Sequence, residues 1–174
     1  MPVLALAVVS LALASCNLFG STPPSCPQVA ILDQAKKVTF YRPGPGRDLT
    51  DVTFEVAIRD LAYECSYDFS DDGNSVTVNY NVLFVARRGP AAAADQVEVA
   101  YFSAVTNMAR KILAKEQFTA TLQYSGNEVI AQSVQKLTQT IPFSHGANIW
   151  DYHSFIGLQL TTAQWEESKR ASSR

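Results

Sequence analysis

The sequence predicts an all-β domain, an antiparallel two-sheet β-sandwich of about seven strands with a short C-terminal helix. Three observations predict it. Apolar and polar residues alternate with period two in several successive runs, the pattern of strands with one buried face. Asp72-Gly73 falls between two such runs, a strong hairpin signal. No amphipathic segment of helix length interrupts the middle of the chain, so packing one sheet on another is the economical way to bury the apolar faces.

The alternation begins weakly, from Val29 to Tyr41, and Arg42-Pro-Gly-Pro-Gly46 breaks it. Val52, Phe54, Val56 and Ile58 then share one face, with Thr53, Glu55 and Arg59 opposite. The apolar parity flips to Leu61, Tyr63, Cys65 and Tyr67, which predicts a bulge or strand break near Asp60. Ser70 to Asn74 form the turn. Val76, Val78, Tyr80, Val82 and Phe84 return on one face, with Thr77, Asn79 and Asn81 on the other, and the strand ends at Arg88-Gly-Pro90. Ala91 to Asp95 read as a loop or one helical turn.

Val97, Val99, Tyr101, Ser103 and Val105 begin another strand, and Thr106 to Lys111 connect it to a run from Ile112 to Tyr124. Ser125-Gly-Asn127 turns the chain into a long polar strand, Val129 to Ile141, ended by Pro142. Ser144 to Asp151 read as a loop and Tyr152 to Leu160 as the last strand. Thr161 and Gln164 have capping-box spacing, so a short helix is expected over 162–169, with Trp165 packing it onto the sheets. The architecture is immunoglobulin-like, without the Cys…Trp…Cys pattern of true immunoglobulin domains. A closed barrel around a ligand is the rival architecture.

The chain has 174 residues, 47% hydrophobic and 17% charged, with a net charge of −2. That is a globular composition with length for one core. No long basic run appears, so no nucleic-acid partner is expected.

At the N-terminus, residues 3 to 14 are continuously apolar or small. The run fits a signal-peptide core and falls short of the roughly 20 residues of a membrane helix. A signal segment normally opens with Lys or Arg. Met1-Pro2 has neither, so an upstream start or an atypical signal is expected. Leu13-Ala-Ser-Cys16 closes the run and resembles the lipobox of bacterial lipoproteins. The resemblance implies a diacylglycerol on Cys16 and removal of residues 1–15. Asn17 follows the cysteine where an aspartate would favour inner-membrane retention, which implies the outer membrane, facing the periplasm. Residues 16–25 then form the lipidated cysteine and a Gly/Ser/Thr/Pro linker. Residues 26–170 form the domain.

Phe155-Ile-Gly-Leu-Gln-Leu-Thr-Thr-Ala-Gln164 is similar to the C-terminal signature of uncharacterised bacterial envelope lipoproteins, which read Gly-Phe-Gln-Leu-Thr and then Gln. Leu158 stands where an aromatic is expected. Cys65 before a hairpin, Arg88-Gly-Pro90 and Tyr101-Phe102 fit the same pattern. The resemblance implies location and fold and brings no activity.

With Cys16 lipidated in an exported protein, Cys26 and Cys65 read as one disulfide; two free buried thiols are the alternative. His145, Asp151 and His153 lie close in sequence and have the donor types of a transition-metal site, though without the usual ligand spacing. Asp71, Asp72 and Asn74 could offer oxygens to calcium, but a hairpin turn explains all three. No Gly-x-Ser-x-Gly elbow occurs, and Pro43-Gly-Pro-Gly46 has prolines where a phosphate loop needs N–H donors. No enzyme and no cofactor is expected. Tyr63, Tyr67 and Tyr80, if outward with Asn79 and Asn81, would make a binding strip for an envelope protein or polysaccharide. The expected function is that of a membrane-anchored binding or structural module. The alternatives are an apolar-ligand carrier with a barrel interior and a metal-binding protein.

Overall fold

The structure is a computed structural model that describes residues 25–71 and 73–172. Cys16, the signal segment and all of the linker before Ser25 lie outside the described residues, as does Asp72. The described strands are β1 (Gln28–Ile31), β2 (Lys37–Tyr41), β3 (Val52–Ser70), β4 (Gly73–Arg88), β5 (Gln96–Asn107), β6 (Ile112–Gln123), β7 (Ile130–Phe143) and β8 (Tyr152–Leu158). A helix, α1 (Thr162–Ser172), follows them. They form two four-stranded sheets, ordered β1-β8-β5-β6 and β2-β3-β4-β7. This is the expected all-β sandwich. The two sheets stay separate, so the rival barrel does not form. Every pairing is antiparallel except that of β1 with β8.

There are eight strands because the weak run from Val29 to Tyr41 splits. A 3-10 turn at Asp33–Ala35 sends β1 into one sheet and β2 into the other.

Alternation decides the core. On β4, Val76, Val78, Tyr80, Val82 and Phe84 all point inward and are at most 1% exposed. Val99, Tyr101, Leu122, Ile156 and Leu158 meet them from the other sheet. The Phe84 and Tyr101 rings cross the gap with centroids 4.8 Å apart, tilted by 58°. Each such buried apolar side chain contributes about 1.5–3 kcal/mol. The interior is filled by side chains.

The parity flip on β3 is a bulge. Ile58 pairs with Phe84 and Asp60 with Leu83, so Arg59 is the extra residue. Beyond the bulge β3 runs on past the short β2, which pairs only as far as Ala57. The far half of its inner face carries Tyr63, Cys65, Tyr67 and Phe69. The Ser70/Gly73 closure of the β3–β4 hairpin is as expected.

Pro142 does not end β7, which continues to Phe143. β7 is the outer strand of its sheet, and an edge position tolerates a residue with no N–H to donate. The capping box forms: Gln164 Oε1 accepts from the Thr161 N–H at 2.9 Å, and Thr161 Oγ1 accepts from the Gln164 N–H at 3.3 Å. The helix runs three residues further than expected. It is tied to the sandwich by Tyr41 Oη donating to Glu167 and by Ser168 Oγ donating to the Gln34 carbonyl.

Candidate functional site

The chain enters the domain beside the overhanging end of β3. Cys26 is joined to Cys65 by a disulfide, with Cα atoms 5.7 Å apart and a separation of 39 positions in sequence. Next to it, Tyr67 Oη donates to the Ser25 carbonyl at 2.6 Å. The entering segment is therefore held against a stretch of β3 that β2 leaves unpaired, and unpaired sheet edges need such cover.

Five aromatic side chains surround this entry point. Tyr67 and Phe69 stack at 5.6 Å, and Phe143 meets both edge-on, at 6.2 and 6.4 Å. On the other side, Tyr63 and Trp150 line an open depression with Cys26, Pro27 and Gln28. Phe69 is 61% exposed, Trp150 46% and Tyr63 43%. Burial raises the Tyr67 pKa, so that phenol stays a hydrogen-bond donor at neutral pH.

The remaining candidates separate. Tyr80 points into the core while Asn79 and Asn81 take the outer face, so the expected Tyr63–Tyr67–Tyr80 strip with the two asparagines is not formed. Adjacent residues of a strand cannot share a face.

The metal candidates do not gather either. His145 sits in the loop after β7, its Nδ1 3.5 Å from the Asn74 amide nitrogen on the second sheet. His153 lies on β8, one residue out of step with inward Ser154, so its ring takes the outer face near Phe155, 6.2 Å away. Asp151 is exposed. Among the described residues no group of three His, Cys, Asp or Glu side chains could hold a metal ion. Asn74 is 9% exposed while Asp71 is exposed at the turn, so these two do not converge as a calcium loop would require.

Sequence reasoning missed a polar cluster inside the sandwich. Tyr80 Oη lies 2.8 Å from Ser154 Oγ, and Ser103 Oγ donates to Gln139 Oε1 at 2.8 Å. All four residues are at least 96% buried, and the Gln139 amide nitrogen has no partner. The signal was present: Ser103, Gln139 and Ser154 occupy apolar parity positions of their strands. Burial raises the Tyr80 pKa and the Ser154 hydrogen bond only partly offsets this, so the cluster is neutral at ordinary pH.

A surface groove of about 350 Å³ lies between α1 and the outer face of the first sheet, lined by Leu32, Ala35, Phe102, Leu158, Leu160 and Trp165. It is the space left where the helix packs on the 3-10 turn between β1 and β2. Compared with family models, curated proteins and solved structures, the chain finds no match in any of the three.

Proposed function

We propose that this chain is a lipid-anchored lipoprotein of the outer membrane, facing the periplasm, and acts as a non-enzymatic binding or structural module of the envelope. The observation that carries the reading is the Cys26–Cys65 disulfide. A bridge of this kind belongs to an oxidising, exported compartment. It uses two of the three cysteines and leaves Cys16, at the end of a lipobox-like segment, for the lipid. Two or more acyl chains hold a protein stably, because each buried methylene adds about 0.8 kcal/mol. The anchor then raises the local concentration of the domain for envelope proteins or polysaccharide without any new contact.

The test is a Cys16→Ala form expressed beside the native chain. The native form should carry an acyl mass at Cys16 and fractionate with the outer membrane. The variant should lose both properties. Equal membrane retention of the two forms, with no acyl mass on either, would reject the proposal.

A further inference from the structure

We infer that the chain-entry end of the sandwich is a second, peripheral membrane contact: it docks on the anionic lipid surface that holds the anchor. The inference rests on the lipid-anchor reading above. Only nine residue steps separate Cys16 from Ser25, a reach of at most about 30 Å when fully extended. Ser25 is hydrogen-bonded to Tyr67, so whatever the path between, the entry end is kept close to the bilayer.

That end carries most of the large apolar side chains exposed among the described residues. Of the ten large apolar side chains exposed among the described residues, six lie there: Tyr63, Phe69, Trp150, Met108, Ile112 and Leu113. The last three flank the β5–β6 turn. Register places this turn at the same end, because Asn107 pairs with Tyr152 and Gln28 with His153. Tyr and Trp are side chains that favour the membrane interface, where one end is apolar and the other wet.

The turn adds charge of the right sign. Arg110 and Lys111 sit between Met108 and Ile112, all four exposed. Arg110 is the only non-glycine among the described residues with positive φ, +59°. An L-residue there costs roughly 1 kcal/mol that glycine would not. The turn is nonetheless fixed, with the Asn107 side chain accepting from the Lys111 N–H at 3.0 Å and the Asn107 carbonyl from the Arg110 N–H at 2.9 Å. Apolar residues flanking a pair of cations on a fixed tip fit the boundary between acyl chains and anionic headgroups. Asp68, Asp71 and Asp151 are also at this end, the first two on the β3–β4 hairpin and the third beside Trp150, so the cationic contact falls on the β5–β6 side.

The two tryptophans of the chain supply the test. Trp150 lies at the entry end. Trp165 lies beyond the opposite ends of β1 and β8, near Leu32 and Leu158. The full acylated chain, as Trp165→Phe or Trp150→Phe, is reconstituted in protein-free vesicles of phosphatidylethanolamine and phosphatidylglycerol with brominated acyl chains. Bromine should quench Trp150 emission several-fold more than Trp165 emission. In the Trp165→Phe background, Arg110→Gln with Lys111→Gln should cut the Trp150 quenching by half or more, and so should high salt. Both cations are exposed, so these changes leave the fold intact.

Equal quenching of the two tryptophans in acylated protein overturns the inference and spares the anchor. Absence of the acyl mass overturns the anchor itself. Quenching or burial of Trp150 that requires added envelope protein, and is missing in protein-free vesicles, identifies a protein partner and also overturns the inference.

Discussion

The hydroxyls of Tyr80 on β4 and Ser154 on β8 meet at 2.8 Å across the middle of the sandwich. This bond links the two sheets through an otherwise apolar interior, where a neutral hydrogen bond contributes about 1 kcal/mol net. Tyr80→Phe keeps the ring and deletes the bond. It should lower the unfolding free energy by about 1–2 kcal/mol, since Ser154 Oγ is left only a long contact, 3.5 Å, to Gln139. Urea unfolding measures it. A double-mutant cycle with Ser154→Ala should give a coupling on the order of 1 kcal/mol, and strict additivity would show the bond to be energetically idle.

The Cys26–Cys65 bridge closes a loop that contains β1, β2 and the first half of β3. Constraining 39 residues of the unfolded chain stabilises the fold by about 4 kcal/mol in the loop-entropy picture, and often by less in practice. Reduction, or Cys26→Ala with Cys65→Ala, should lower the thermal midpoint by many degrees. It should also loosen the Ser25–Pro27 segment, which the bridge and the Tyr67 hydrogen bond tie to β3 and the buried Pro27 side chain packs into the domain. Hydrogen exchange at Gln28 and Val29 should then rise more than exchange at Val78 or Val82. Uniform protection in the reduced protein would contradict this.

Much of the fold was legible because alternation is a local signal. The flip between Ile58 and Leu61 marks the Arg59 bulge, and Asp72-Gly73 marks the hairpin, since each needs only neighbouring residues to be read. The β1–β8 pair is different. It joins Val29 to Ser154, and nothing local in either short strand records so distant a parallel partner. The site was less legible still. Strand parity alone separates Tyr80 from Asn79 and Asn81, so that strip was excluded in principle by the sequence itself. The convergence of Tyr63, Phe69, Phe143 and Trp150 around Ser25 depends on the bridge and on the overhang of β3, both tertiary facts.

Gly89 shows where backbone approach, not conformational freedom, demands glycine. A Cβ there would lie 2.3 Å from the Val52 carbonyl oxygen, while the Gly89 N–H donates to the Thr53 carbonyl at 2.7 Å. The obstacle is backbone, which cannot rotate away. Gly89→Ala should therefore force β3 and β4 apart where they begin to pair and cost about 2 kcal/mol or more. Gly146→Ala meets no atom within 4 Å and is strained only by its positive φ. It should cost about 1 kcal/mol. Equal effects of the two, in matched thermal unfolding, would refute the steric account.

Alkali should unfold the protein through its buried phenols. Burial raises the pKa of Tyr80, Tyr101 and Tyr124 above the ordinary 10.0, with Arg88 pulling partly the other way at Tyr124. Above that value the unfolded chain binds fewer protons than the native one, so stability falls with rising pH. The contribution is fully present below about pH 10 and is lost as pH climbs through the raised native values. Urea midpoints measured at intervals above about pH 9 should decline along this course. Tyr80→Phe should flatten the decline, because the ring stays while the titrating group goes. A midpoint that holds constant or climbs through the same range would mean the phenols ionise in place, without opening the core.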